Sequence, residues 1–190
     1  MARPRKFDEQ RAVDAAMRAF WDAGYEGTST QDLCVATGLG RSSIYNTFES
    51  KRDLYERALR RYMDDKNART FAILDGPGSV KDRIRSLLWS AVEPPDDEPL
   101  GCLVVNATVE MGQRDSEVSR LLAEDRQRRL AALASVFEVG QAAGEIDRSK
   151  SAVDLANFVI STISGLRVVA RGGADRQTLQ AIAEVALSSL

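Results

Sequence analysis

Residues 29–54 constrain the fold of this chain more than any other stretch. Ser29 and Asp32 have the three-residue spacing of a capping box, which predicts the start of a helix. Gly38 can adopt the left-handed conformation that ends a helix, and a second helix is predicted over Gly40–Phe48. Two short helices joined by a tight glycine turn are typical of a helix-turn-helix motif, which reads DNA with its second helix.

The apolar residues of these two helices predict which faces are buried. Leu33, Val35 and Ala36 are expected to form the inward side of the first helix. Ile44 and Phe48, four positions apart, form the inward stripe of the second helix. The outward side of the second helix then carries groups that can bond phosphates and base edges, namely Arg41, Ser42, Ser43, Tyr45, Asn46 and Thr47. A helical hairpin with no DNA-binding role would also expose polar residues, so this pattern alone leaves both interpretations open.

The residue pattern of this stretch resembles the DNA-binding domain of the TetR family of bacterial transcriptional regulators. The matching residues occur in order and without gaps: Gly24, Ser29, Asp32, Leu33, Gly38, Ile44, Tyr45, Phe48, Lys51 and Leu54. The resemblance is strong over Phe7–Leu59 and becomes a general helical layout beyond it. It implies a homodimer that binds double-stranded operator DNA and responds to a small-molecule effector. On this interpretation the phosphate contacts are Ser29, Thr30, Tyr45 and Lys51, and the candidates for base edges are Gln31, Arg41, Ser42, Ser43 and Asn46.

Three residues depart from the family pattern. Gly40 stands where a serine is usual, which removes a possible hydroxyl contact to phosphate. Cys34 replaces the usual alanine and is expected to pack as a small apolar residue. Thr47, a further candidate DNA contact, is shorter than the aromatic residue or histidine that is common at its position.

A short basic segment precedes the first predicted helix, which covers residues 8–23. Arg3, Arg5 and Lys6 are expected to form an unstructured arm that lies along phosphates or enters a minor groove, so Arg3 and Arg5 are candidate DNA contacts. A tail that only raises solubility would have the same composition. Residues 1–61 hold 11 Lys and Arg against 9 Asp and Glu, whereas residues 62–190 hold 15 against 19, so the surplus of positive charge lies in the first part.

The composition excludes several classes of site. The chain has no histidine, which removes histidine-based triads, general bases and metal ligands. Its two cysteines are 68 positions apart and cannot form a four-thiolate zinc site, and no glycine-rich phosphate loop is present. We therefore predict no enzyme activity, no metal and no cofactor. The absence of a signal peptide and of a long apolar run predicts a cytoplasmic protein without a membrane span.

The remainder of the chain predicts further helices and no strand. Their expected positions are residues 51–74, 79–92, 101–112, 115–140, 151–171 and 175–190. We expect an all-α fold of about nine helices, with a DNA-binding domain at residues 1–50 and a helical ligand-binding and dimerisation domain at residues 51–190. The last two helices are rich in small residues and carry apolar residues around much of their surface. They are therefore expected to pair with a second copy as a four-helix bundle.

The segment 101–112 is nearly all apolar, which predicts a helix that is buried on every side. With its neighbours it could enclose a pocket, and the family resemblance implies that the effector binds there. The candidate lining residues are Leu88, Trp89, Cys102, Val105, Asn106, Val109, Phe137 and Phe158. Asn106 either orients a ligand or bonds a neighbouring backbone group, because a buried amide needs partners.

The sequence therefore predicts a ligand-responsive DNA-binding regulator, a repressor that a small molecule releases from a palindromic operator. Three alternatives stay open. Cys102 follows a glycine at a helix start, where the helix dipole favours a thiolate, so the effector could be an electrophile or oxidant that modifies this thiol. The same cysteine could be only a small buried residue. The other two alternatives are a dimeric helical binding protein without DNA recognition and an all-α enzyme that uses carboxylates and serines.

Overall fold

The structure is a computed structural model that describes the backbone of residues 5–190 and the side chains from Glu9 onward. Nine α-helices and no strand occur in this described part, which confirms the all-α expectation. The helices are α1 Arg5–Gly27, α2 Thr30–Thr37, α3 Arg41–Thr47, α4 Lys51–Leu74, α5 Val80–Val92, α6 Leu103–Glu110, α7 Ser116–Ala143, α8 Ala152–Arg171 and α9 Arg176–Ser188.

The helices pack into two compact units. The first unit extends to Asp65 and includes a later segment, Leu103–Leu122. The second unit contains Lys66–Cys102 and Ala123–Leu190. This division differs from the expected boundary at residue 50, because α4 begins in the first unit and α6 belongs to it entirely. The sequence pattern could not show this, since α6 joins the first unit through contacts with residues about 85 positions earlier.

Aromatic packing forms the core of the first unit. Phe20 of α1 meets Tyr55 of α4 edge to face, with ring centroids 5.0 Å apart, and Trp21 meets Tyr62 in the same way at 4.8 Å. All four side chains are buried. Burying an aromatic side chain of this size contributes roughly 1.5–3 kcal/mol to folding stability. The packing of α1 against α4 therefore supports α2 and α3, which lie between them in the sequence.

The inward face of α2 is narrower than expected. Leu33 is fully buried, but Val35 is 74% exposed and Ala36 is exposed too, so the assignment of these two residues to the core was wrong. Successive residues in an α-helix are rotated by about 100°, which places residues i and i+4 on one face and residue i+2 on the opposite face. Leu33 and the half-buried Thr37 accordingly face α1 and α3, and Val35 faces solvent.

The expectation that α6 is buried on every side was also wrong. Leu103 and Ala107 are buried, as is Met111 directly after the helix, and the four-residue spacing places them on one face against α1. Val109 on the other side is 80% exposed. A helix of only eight residues needs one packed face to be held in place, whatever the composition of the opposite face.

The core of the second unit is formed by α5, α8 and α9, which pack on one another, together with part of α7. Among the described residues, α8 is the one helix long and apolar enough in composition to cross a membrane, contrary to the expectation that no segment is. Its inward residues belong to the core cluster, as do those of α9. The remaining apolar residues of α8 are exposed, namely Val153, Phe158, Val168 and Val169.

Candidate functional site

The predicted helix-turn-helix is built by local hydrogen bonds. The Asp32 amide donates to the Ser29 hydroxyl oxygen at 3.2 Å, and the Ser29 amide donates to the Asp32 carboxylate at 2.8 Å, which completes the capping box that begins α2. The hydrogen bonds that the Ser29 hydroxyl and the Ser29 amide donate to the Asp32 carboxylate hold the pKa of Asp32 below its usual value. Gly38 ends the helix in the left-handed conformation, with φ 69°. Gly40 then precedes α3 without a side-chain cap, as the sequence predicts.

The orientation of α3 is fixed by two buried side chains on one face. Ile44 and Phe48 are each 1% exposed. The opposite face carries the predicted polar residues, and all of them are exposed: Arg41, Ser42, Ser43, Tyr45, Asn46 and Thr47. Gln31 of α2 is exposed as well. The candidate contacts of α3, and Gln31 of α2, are therefore all accessible on the surface of the motif.

Contacts between these side chains pre-arrange part of the surface. The hydroxyl oxygens of Thr30 and Tyr45 are 3.2 Å apart, so a hydrogen bond connects α2 to α3. The Arg41 guanidinium lies 5.9 Å from the centre of the Tyr45 ring, within the range of a cation–π contact. The Ser29 hydroxyl donates to Asp32 at 2.6 Å and the Thr47 hydroxyl donates to the Ser43 carbonyl at 2.9 Å. The hydroxyl protons of Ser29 and Thr47 are thus used within the motif.

Lys51 is the first residue of α4 and is half-buried. Its ammonium group lies 4.3 Å from the centre of the Tyr25 ring. Such a contact limits the positions that a flexible lysine side chain can take. Lys51 is therefore held near the start of α4 rather than extended freely into solvent.

The predicted basic arm is shorter than expected, because α1 begins at Arg5 and includes Lys6. The side chains of Arg5 and Lys6 lie outside the described residues, as does Arg3 altogether. The structure thus leaves the two candidate DNA contacts in this segment as predictions.

Two polar side chains of α6 bind the C-terminal end of α1. The Glu110 carboxylate accepts hydrogen bonds from the amides of Tyr25 at 2.7 Å and Glu26 at 3.3 Å. The Asn106 amide donates to the Trp21 carbonyl at 3.2 Å. Gly24 makes this arrangement possible: its φ of 78° is in the region that favours glycine, and a Cβ atom there would collide with the Glu110 carboxylate. Sequence reasoning missed Glu110, for which no local signal exists.

Ion pairs join the start of α7 to α4. Arg52 binds the Asp115 carboxylate through two hydrogen bonds, of 2.6 and 2.8 Å, and Arg60 binds Glu117 at 3.1 Å. Asp115 also accepts the Val118 amide at 3.1 Å, so it caps α7. The hydrogen bonds from Arg52 are the main reason why the pKa of Asp115 lies well below its usual value. Segment 103–122 is thus tied to both α1 and α4 by polar contacts.

The predicted effector-binding residues are divided between the two units. Val105, Asn106 and Val109 belong to the first unit, and the others belong to the second. Val109 and Phe158, at 80% and 41% exposure, are not enclosed by this chain. Asn106 has the backbone partner described above, which is the second of the two roles considered for it. Leu88 and Phe137 are fully buried core residues, Trp89 packs against the core, and Cys102 and Val105 are half-buried.

The second unit contains buried polar residues that sequence reasoning did not identify. Asn67 and Asp125 are 2% and 4% exposed, and the Asn67 amide donates to the Asp125 carboxylate at 2.7 Å. Arg129 pairs with the same carboxylate at 2.8 Å. Lys66, next to Asn67, forms an ion pair with Glu98. No group of three or more Cys, Asp or Glu side chains suited to hold a metal ion occurs among the residues with described positions.

Two family models match the chain in succession. Residues 12–58 match bacterial regulatory proteins of the tetR family, and residues 77–186 match the tetracyclin repressor-like C-terminal domain. The first match covers the helix-turn-helix described above, and the second covers most of the second unit and α6.

Curated relatives align over nearly the whole chain. The HTH-type transcriptional regulator YezE of Bacillus subtilis is 32% identical, with 100% of both chains covered. The HTH-type transcriptional repressor ComR of Escherichia coli is 30% identical over 97% of this chain and 90% of its own.

Solved structures share the fold over the same length. The TetR family transcriptional regulator CifR, as a cysteine mutant complexed with 26 bp double-strand operator DNA, is 31% identical with a TM-score of 0.86 and 98% of both chains covered. A TetR transcriptional regulator from Chloroflexus aurantiacus is 26% identical with a TM-score of 0.88, and covers 98% of this chain and 96% of its own. The motif geometry and these full-length similarities lead to one conclusion: the chain belongs to the TetR family of bacterial transcriptional regulators.

Proposed function

We propose that this protein is a homodimeric repressor that inserts two copies of α3 into successive major grooves of a palindromic operator and leaves it when a small molecule binds. The observation that carries the proposal is the division of α3 into two faces. Ile44 and Phe48 anchor it in the core, and the polar face remains open. A helix that is firmly held and exposes short polar side chains suits base contacts, which need a fixed position in the groove.

The geometry suggests that some exposed residues contact phosphates and others contact base edges. Tyr45, held by Thr30, and Lys51, placed at the start of α4, suit phosphate contacts that set the register of the motif. The Ser29 hydroxyl oxygen can accept a hydrogen bond, but the hydroxyl proton is already donated to the Asp32 carboxylate. The candidates for base edges, which carry amide, guanidinium or hydroxyl groups, are Gln31, Arg41, Ser42, Ser43 and Asn46.

The exposed faces of α8 and α9 support a dimer. Phe158, Val168 and Val169 lie along one side of α8 and are 41%, 53% and 38% exposed. On α9, Val185 is 67% exposed and shares its face with small residues. Exposed apolar side chains on two neighbouring helices are costly in water, and two copies related by a two-fold axis would cover them as a four-helix bundle.

The Leu103–Leu122 segment offers a route by which an effector could act. Its two ends continue directly into the second unit, while Glu110, Asn106 and Asp115 bind it to α1 and α4. A ligand that binds more tightly to a different conformation of this segment would change the positions of the two DNA-binding motifs. Converting a 99:1 preference into its reverse requires about 5.5 kcal/mol of differential binding.

A Tyr45 series tests the DNA-binding role. We expect Tyr45→Phe to weaken binding to the DNA upstream of the protein's own gene about fivefold, since it loses only the hydroxyl, and Tyr45→Ala to weaken it at least tenfold. Binding would be measured by gel shift and fluorescence anisotropy, with circular dichroism as the check on folding. Full affinity in Tyr45→Ala would contradict this role for α3, and no binding by the native protein to any upstream fragment would overturn the proposed function.

The dimer has its own test. Val168→Asp is expected to convert the protein to a monomer in sedimentation velocity, because a buried unpaired charge costs several kcal/mol. Val139→Asp on α7, where the valine is 57% exposed, is the matched control and should leave the assembly unchanged. A Val168→Asp protein that sediments as a dimer would show that α8 is not the contact.

A further inference from the structure

The ring of Tyr25, near the end of α1, contacts both buried aromatic side chains and the ammonium group of Lys51. The Lys51 ammonium is 4.3 Å from the centre of this ring. The rings of Phe20 and Tyr55, both fully buried, have their centres 6.2 and 4.8 Å from it. Tyr25 itself is half-buried. It thus connects the core of the first unit to the first residue of α4.

Both the backbone and the side chain of Tyr25 are held in place. Its amide donates to the Glu110 carboxylate at 2.7 Å, and its carbonyl accepts the Thr28 amide at 3.4 Å. Aromatic rings at the separations found for Phe20 and Tyr55 attract one another, and close packing against such neighbours restricts the rotamers of the Tyr25 ring. Tyr25 is therefore a fixed surface against which a flexible side chain can be positioned.

The contact with Tyr25 holds the Lys51 ammonium without neutralising it. Lys51 forms no ion pair with the side chains that the structure describes from Glu9 onward, whereas its neighbour Arg52 binds the carboxylates of Asp115 and Glu56. A lysine loses rotamer freedom when it is fixed in one position, and a cation–π contact offsets part of that loss before DNA binds. The charge and the three N–H donors of Lys51 remain available to a phosphate group.

We propose that Tyr25 is a positioning residue for DNA binding, and that its ring holds Lys51 where the ammonium group binds an operator phosphate. This inference rests on the proposed function, in which Lys51 contacts phosphate. It adds a residue of α1, outside the two helices of the motif, to the groups that set the register on DNA. Through the hydrogen bond between its amide and Glu110, Tyr25 also connects α6 to that phosphate contact.

The hold on Lys51 can be measured without DNA. The ring current of an aromatic side chain shifts protons above its face upfield, so the Lys51 Hε protons, next to the ammonium group, should be shifted upfield in the NMR spectrum of lysine-labelled protein. The chain has five lysines, and the signal lost in Lys51→Gln identifies Lys51. The upfield shift should persist in Tyr25→Phe and disappear in Tyr25→Leu. An unchanged shift in Tyr25→Leu would show that the ring does not hold Lys51.

The effect on DNA is measured as a double-mutant cycle of Tyr25→Leu and Lys51→Gln, by fluorescence anisotropy with the DNA upstream of the protein's own gene. Leucine keeps apolar bulk but has no π face. We expect Tyr25→Leu to weaken binding about tenfold when Lys51 is present, because a dimer loses two cation–π contacts. When Lys51 is already glutamine, the same change should weaken binding by less than about twofold. Tyr25→Phe keeps the ring face and should bind like the native protein.

Tyr62→Leu is the matched control for removing an aromatic ring from the first unit. Tyr62 is buried against Trp21 and lies eleven positions along α4 from Lys51, which is roughly 16 Å. This control should lower the Tm but leave the operator affinity and the Lys51 signal unchanged. A purely structural role of Tyr25 would instead weaken DNA binding equally with and without Lys51.

The outcomes separate this inference from the proposed function. If the native protein binds the upstream DNA, then equal losses of affinity in both backgrounds, or no loss in Tyr25→Leu, would overturn the inference and leave the proposed function standing. A native protein that binds no upstream fragment would overturn both. If circular dichroism shows that Tyr25→Leu fails to fold, Tyr25→Met replaces it with the same expected direction, because methionine adapts to irregular space in a core.

Discussion

Replacing Gly24 with alanine should test the contact between α1 and α6 directly. With φ 78° and ψ 174°, Gly24 has a backbone conformation that other residues adopt at a cost of about 1–3 kcal/mol. The added Cβ would also displace the Glu110 carboxylate from the amides of Tyr25 and Glu26. Loss of two hydrogen bonds to a half-buried carboxylate adds about 1–2 kcal/mol. We expect Gly24→Ala to lower the free energy of unfolding by about 2–5 kcal/mol.

The part of the Gly24→Ala cost that comes from the lost Glu110 hydrogen bonds should be absent when Glu110 has already been replaced. In a Glu110→Ala background, Gly24→Ala should cost only the backbone term of about 1–3 kcal/mol, a coupling of about 1–2 kcal/mol between the two sites. The free energies would come from urea denaturation at a fixed protomer concentration, since the stability of a dimer depends on it. An equal cost of Gly24→Ala in both backgrounds would refute the reasoning.

Gly38 provides the matched control for this cycle. Its φ of 69° is also left-handed, but a Cβ atom there would meet nothing within 4 Å. Gly38→Ala should therefore cost about 1–2 kcal/mol, with or without Glu110. A coupling between Gly38 and Glu110 would mean that the measured interaction is not the contact at Gly24.

Two further predictions concern charged residues. Lys51→Gln should reduce the salt dependence of operator binding. The slope of log K against log salt concentration should fall by about 2, because a dimer carries two copies of Lys51. An unchanged slope would exclude a phosphate contact by Lys51. Asp115→Asn keeps a helix-capping side chain but loses the ion pair to Arg52, and should cost about 1 kcal/mol near pH 7. The folded-state pKa of Asp115 is depressed, so its stabilising effect is present above the unfolded pKa of about 4 and is lost as the pH falls below it. The difference in unfolding free energy between native and Asp115→Asn proteins should accordingly shrink in acid denaturation measurements below about pH 4.

Local signals predicted the DNA-binding motif well. The Ser29–Asp32 capping box and the turn at Gly38 depend on residues only a few positions apart, and both are present as expected. The stripe of Ile44 and Phe48 is also correct, because a four-residue spacing determines a helix face whatever the rest of the chain does.

Contacts between distant parts of the chain could not be predicted in the same way. Glu110 has no sequence feature that marks it as a partner of α1, and its role depends on amides 84 and 85 positions earlier. The apolar composition of α6 suggested full burial, because composition cannot distinguish a packed face from an exposed one. Lys66 and Glu98 were missed for a related reason: charged residues on a helix and in an acidic loop are usually exposed.

The return of Leu103–Leu122 to the first unit has a consequence for protein engineering. A chimaeric regulator that joins the chain up to Asp65 to a foreign sensor would leave the end of α1 without Glu110 and Asn106, and Arg52 without Asp115. Such a graft should carry the Leu103–Leu122 segment with it, as an insert at the corresponding place in the recipient. The transplantable module is therefore discontinuous, and its seams are at 65–66, 102–103 and 122–123.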